Sequence, residues 1–142
     1  MLTHYLQQAN EILSNLIETT RNDIEDIKSA KHDNIFSRTK TKEELVKSFE
    51  NHKSLIDNEI AKMAQAAEGA PLDKILDDTQ QALLNEMREK LKSLQKENKH
   101  FASMVIAVSE FYSSLINRLI PTEQVGYENH KAKRASYLHI KG

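Results

Sequence analysis

The sequence contains no cysteine and no tryptophan, and only three glycines and two prolines in 142 residues. The lack of thiols excludes disulfide frameworks, thiolate nucleophiles, zinc knuckles and iron–sulfur clusters, and it fits a cytoplasmic protein. With so little glycine and proline, few turns are available; the remainder is dominated by helix-forming residues such as Ala, Leu, Glu, Lys and Gln. An excess of one charge is also missing, because 20 Lys and Arg face 21 Asp and Glu for a net charge of −1. Such a chain carries no electrostatic footprint for nucleic acid or an anionic membrane.

No long uninterrupted apolar run occurs. The most apolar stretch, FASMVIAVSEFYSSLINRLIP at residues 101–121, is broken by Ser109, Glu110, Ser113, Ser114, Asn117 and Arg118, so it does not read as a membrane span. The opening residues MLTHYLQQANEIL lack the basic region and apolar core of a signal peptide. The expectation is a soluble, all-α protein long enough to bury one core without metals or disulfides.

What is present is helical periodicity. Apolar positions recur in steps of three and four at Leu6, Ala9, Leu13, Leu16, Thr20, Ile24 and Ile27, predicting a first helix over about residues 2–32. The stretch HDNIFSRTKT then loses the period. Thr41 and Glu44 have capping-box spacing, in which each side chain satisfies an orphan amide, and predict a second helix from 41 to 68. Its seam is Leu45, Phe49, His52, Ile56, Ile60, Met63 and Ala67, with Gly69 as a left-handed stop before Pro71. A third helix, over 72–120, carries Leu76, Leu83, Met87, Leu91, Leu94, Asn98, Phe101, Val105, Val108, Tyr112, Leu115 and Leu119, and ends at Pro121.

These lengths predict an antiparallel, coiled-coil-like bundle of three long helices, residues 1–121, followed by a flexible basic tail, 122–142. At about 1.5 Å per residue the first two helices span roughly 40 to 45 Å and the third roughly 70 Å. About 20 residues of the third helix, the apolar segment from Phe101 onward, are then expected to protrude. On a helical wheel its apolar arc is about 220° wide, against roughly 100° for one packing contact. That excess suits a neighbour in the core, a helix from another chain or self-association.

Candidate chemistry is sparse. Glu97 and His100 have the Glu-x-x-His spacing of di-iron bundles, but the second copy that such a site needs is absent. His52 lies on the helix-two seam, where a packed histidine fits better than a phosphorelay residue that must be exposed. Asn98 either fixes register from within the seam or faces solvent where the bundle opens. No phosphate-binding loop or nucleophile–base grouping is identified, so neither an enzymatic activity nor a cofactor or metal is expected.

With its helices placed in this way, the chain resembles the FlgN family of flagellar type III export chaperones, which serve the hook–filament junction proteins. The resemblance rests on organisation over most of the length. A leucine-spaced first helix leads to Asp33 and then to Lys42, Glu43, Glu44 and Leu45, and a long last helix carries Asn98 ahead of its apolar end in LQKENKHFASMVIAVSEFYSSLI. It implies a cytoplasmic, non-enzymatic chaperone that keeps hook-associated proteins soluble and delivers them to the export gate. It further implies that their C-terminal helical segments bind Phe101, Met104, Val105, Val108, Phe111, Tyr112, Leu115, Ile116 and Leu119. Tyr127, Lys131, Lys133 and Arg134 in the tail are the implied contacts for the gate. The alternatives are another type III secretion chaperone, or a structural coiled coil that forms a homodimer through the same helix.

Overall fold

The computed structural model describes residues 1–119, and in these the regular structure is entirely helical: α1 (Leu2–Lys28), α2 (His32–Ala66), α3 (Leu72–Ile75) and α4 (Asp78–Leu119). No helix in this range is long and apolar enough to cross a membrane. The expected tail, 122–142, lies outside the described residues.

α1 is the organising element. Leu2, Leu6, Ala9, Leu13, Leu16, Thr20, Ile24 and Ile27, the stripe anticipated from spacing, are all buried. Thr20 tolerates this because its hydroxyl donates to the Leu16 carbonyl at 2.8 Å. Both flanks of the stripe are covered, since α1 packs extensively against α2 and α4, while those two reach each other through side chains rather than by close backbone approach. Toward α4, Gln80 Nε2 donates to Thr3 Oγ1 at 3.3 Å, Asn10 Nδ2 to the Leu83 carbonyl at 3.0 Å and Arg21 Nε to Glu97 Oε1 at 3.2 Å. Along this face the residue numbers of the partners rise together. Toward α2, Gln8 meets His52 and Asp23 meets Lys42 and Arg38, so the numbers on α2 fall as those on α1 rise.

α2 begins at His32, nine residues before the expected start, so HDNIFSRT is helix rather than linker. The cause is a seam whose inward positions include a cation. Ile35, Lys42 and Ile56 are buried, and Phe49 and Met63 pack half-buried between and beyond them. This seven-residue spacing is the repeat that keeps one side of a helix facing its neighbour. Thr41 and Glu44 are exposed residues inside the helix and do not start it. At about 1.5 Å per residue α2 is then roughly 50 Å long, and α1, which stops at Lys28, roughly 40 Å.

Two helix ends show how local chemistry sets the boundaries. α1 and α2 both end with a reversed turn in which a non-glycine residue takes the left-handed conformation, Ala30 at φ 59° and Glu68 at φ 53°. The Lys31 amide donates back to the Asp26 carbonyl at 2.7 Å, and the Gly69 amide to that of Ala64 at 3.1 Å, which satisfies carbonyls the helix leaves orphaned. The third helix is not continuous either: Leu76 is extended, with ψ 139°, and separates α3 from α4. A reciprocal cap restarts the helix, the Gln80 amide donating to Asp77 Oδ1 at 2.7 Å and the Asp77 amide to Gln80 Oε1 at 3.1 Å. Asp77→Ala removes one side of this cap and is expected to lower stability by about 1 kcal/mol. A urea melt followed by circular dichroism measures the loss, and an unchanged midpoint would show that the break does not depend on the cap.

The interior divides in two. A larger core gathers Leu2, Leu6, Ala9, Leu13, Leu16, Ile56, Leu76 and Met87. A smaller one gathers Ile24, Ile27, Ile35 and Phe101, with Met104, Val105 and Val108 packed against it. Between them lies a polar layer of Thr20, Asp23 and Lys42, all buried.

Candidate functional site

The anticipated docking residues all lie on α4, but they fall into different environments. Phe101 is only 2% exposed and belongs to the smaller core, so it is not an accessible docking residue. Its ring packs with Ile24, Ile27 and Ile35, and the Lys42 ammonium lies 4.6 Å from its centroid. Met104, Val105 and Val108 are half-buried against the same cluster. Two helices explain this: Ile24 and Ile27 near the end of α1, with Ile35 in the early-starting first turn of α2, cover the part of α4 that was expected to protrude. The uncovered apolar length therefore starts about two and a half turns later than the spacing alone indicated.

Beyond Val108 the apolar side of α4 opens, although Ser113 among these residues is buried. Phe111, Tyr112 and Leu115 are 65%, 45% and 41% exposed, and Ile116 is half-buried. The Phe111 and Tyr112 rings meet edge to face, with centroids 5.8 Å apart. An open depression of about 400 Å³ lies on the Phe111 and Leu115 side of this patch, lined also by Ala107, Glu110, Ser114 and Arg118. Leu119 closes α4. The tail candidates Tyr127, Lys131, Lys133 and Arg134 lie outside the described residues.

Exposed large apolar residues elsewhere do not gather in this way. Phe36, Val46 and Leu55 on α2 are exposed, but at about 100° per residue they point in three different directions around the helix. Phe111, Tyr112, Leu115 and Ile116 fall within two turns and form one patch.

The other candidates resolve into structural roles. His52 is half-buried, its Nδ1 within 2.7 Å of the Ser48 carbonyl and its Nε2 within 2.7 Å of Gln8 Oε1. Glu97 accepts from Arg21, and His100 is exposed on the helix surface. Among the described residues no group of three or more His, Cys, Asp or Glu is placed to hold a metal ion. Asn98 faces solvent, because at that level α4 turns Glu97 and Phe101 inward.

Sequence reasoning missed the polar layer beside the smaller core. Asp23, 1% exposed, accepts from Lys42 Nζ at 2.6 Å and from Arg38 at 3.1 Å; Arg38 also donates to Asp26. Burial by itself disfavours the Arg38 charge, but hydrogen bonds to Asp26 and Asp23 and their negative field outweigh it, and its pKa is raised. A raised cation stabilises the fold at and below neutral pH and loses that contribution only in strong alkali, so the guanidinium is a fixed charge under working conditions. The available signal was Lys42 itself, seven residues from both Ile35 and Phe49.

No protein-family model, curated protein or solved structure matches this chain.

Proposed function

We propose that the chain is a FlgN-like, cytoplasmic flagellar export chaperone whose three long helices form an antiparallel, coiled-coil-like bundle. It binds the C-terminal helical segment of a hook-associated protein on the far end of α4 and brings it to the export gate without nucleotide, metal or catalysis. The observation that carries the docking reading is the patch of Phe111, Tyr112, Leu115 and Ile116, which projects beyond the cover provided by α1 and α2. Contiguous exposed aromatic and aliphatic groups of this kind mark partner surfaces. An amphipathic helix laid along α4 buries them against its own apolar face, a groove-and-helix mode in which a few large anchors supply most of the affinity. The sequence resemblance, and not the patch, supplies the identity of the cargo.

The test is titration calorimetry of the full chain against C-terminal peptides of hook-associated proteins. Tyr112→Asp combined with Leu115→Asp is expected to weaken binding by about 1,000-fold, the loss of two anchors of roughly 2 kcal/mol each. Thermal stability should change little, because both side chains are already in solvent. Binding that survives the double change refutes this docking surface. Sedimentation separates the rival: an oligomer that persists at nanomolar concentration and is dissolved by the same two changes would make the patch a self-association face.

A further inference from the structure

The division of the interior has a consequence for how much of α4 a partner can reach. In the first three turns of α2 only Ile35 and Lys42 are buried. The N-cap residue, Lys31, makes no side-chain capping bond, and the preceding turn holds Ala30 in the left-handed region at φ 59°. The attachment to α1 is largely ionic, through Arg38 and Lys42 to Asp23 and Asp26. Below Lys42, by contrast, α2 joins the larger core through Leu45, Phe49, Ile56, Ile60 and Met63. A segment with one apolar anchor, an uncapped start and a small separate core is the kind that opens below the global unfolding energy.

We infer that residues 32–42 form a displaceable strap. The smaller core opens as a unit while the larger one stays closed, and the polar layer of Asp23 and Lys42 is the boundary between them. Opening lifts Ile35 and Lys42 off the Phe101 ring, which Ile24 and Ile27 of α1 still flank, and extends the Phe111–Leu115 patch backward along the α2-facing side of the same helix toward Phe101. The accessible face then grows from about two turns to about four, long enough to hold several turns of a partner helix. This inference rests on the docking reading only for its use; the opening itself is a property of the free chain.

Native-state hydrogen exchange on the full-length chain without any partner tests it. Amides of residues 33–42 are expected to exchange at least about 100-fold faster than those of residues 6–16, through an opening with its own denaturant dependence. Ile35→Ala should speed exchange in 33–42 by roughly 30-fold or more, and these amides should stay well ahead of 6–16, which are freed only by global unfolding. The absence of native cysteine permits a side-chain probe as well. In a Val105→Cys chain the alkylation rate should rise about tenfold on adding Ile35→Ala, whereas a Leu13→Cys thiol should remain slow. One common exchange rate for 33–42 and 6–16 in the unmodified chain would refute the strap, as would a Val105→Cys thiol indifferent to Ile35→Ala. Because no partner is present, failure here leaves the docking reading untouched, and peptide binding that survives the Tyr112 and Leu115 changes leaves the strap untouched.

Discussion

Phe101→Ala is expected to destabilise the protein by about 3 to 5 kcal/mol, whereas Phe111→Ala, ten residues along the same helix, should stay within about 0.5 kcal/mol of the parent. The two phenylalanines share chemistry and helix and differ in surroundings. Phe101 is buried among Ile24, Ile27 and Ile35, so truncating it removes transfer free energy and leaves a cavity that the flanking helices only partly close. It also removes the ring beneath the Lys42 ammonium, an interaction of roughly 0.5 to 2 kcal/mol. Phe111 is 65% exposed, and its truncation opens no cavity. In peptide binding the order should reverse, with Phe111→Ala the more damaging per unit of stability lost. Urea melts alongside calorimetric titrations give both numbers, and equal stability losses would contradict the placement of Phe101 in the smaller core.

Lys42→Ala should cost about 3 kcal/mol, the low end of the range for breaking a buried ion pair, because Arg38 still contacts the stranded Asp23. The penalty arises less from lost attraction than from a carboxylate at 1% exposure deprived of its shorter-range partner. Replacing both charges should behave differently. Asp23→Leu with Lys42→Met removes the desolvation cost together with the attraction, and such replacements are often neutral or stabilising by about 1 to 4 kcal/mol. The double variant is therefore expected to melt at or above the parent in urea. A Lys42→Ala loss below about 1 kcal/mol would mean that water or Arg38 fully compensates Asp23. A double variant as unstable as the single one would mean that the pair is a net source of stability.

The same pair explains which parts of the fold could be read from the sequence. The inward stripe of α1 is legible position by position because it is apolar apart from Thr20, and because neighbours cover it on both sides along its length. In α2 the inward stripe passes through Lys42, with Arg38 beside it, so a search for apolar recurrence breaks off there. Thr41 and Glu44 then supply a false start with the right spacing. The break at Leu76 was concealed in the opposite way, by an apolar residue that continues the stripe while its backbone is extended. The correct signal, Asp77 with Gln80, stood next to it and has the same logic as the cap assigned at Thr41. At the candidate site the width of the apolar face was legible. The division between buried Phe101 and exposed Phe111 was not, since it depends on where another helix begins.

The central placement of α1 also bears on the order in which the chain acquires structure during synthesis. α1 and α2 are adjacent in sequence and can associate as soon as both have emerged, through contacts of short sequence separation that form quickly. The other flank of α1, marked by Asn10 and Arg21, waits for α4, whose matching positions lie some 70 to 80 residues downstream. At about 5 to 20 residues per second, a ribosome needs several seconds to supply them. For that interval the nascent α1 shows an uncovered flank, including the side of the larger core that Leu83, Leu84 and Met87 later close, and the chain passes through an aggregation-prone stage of its own.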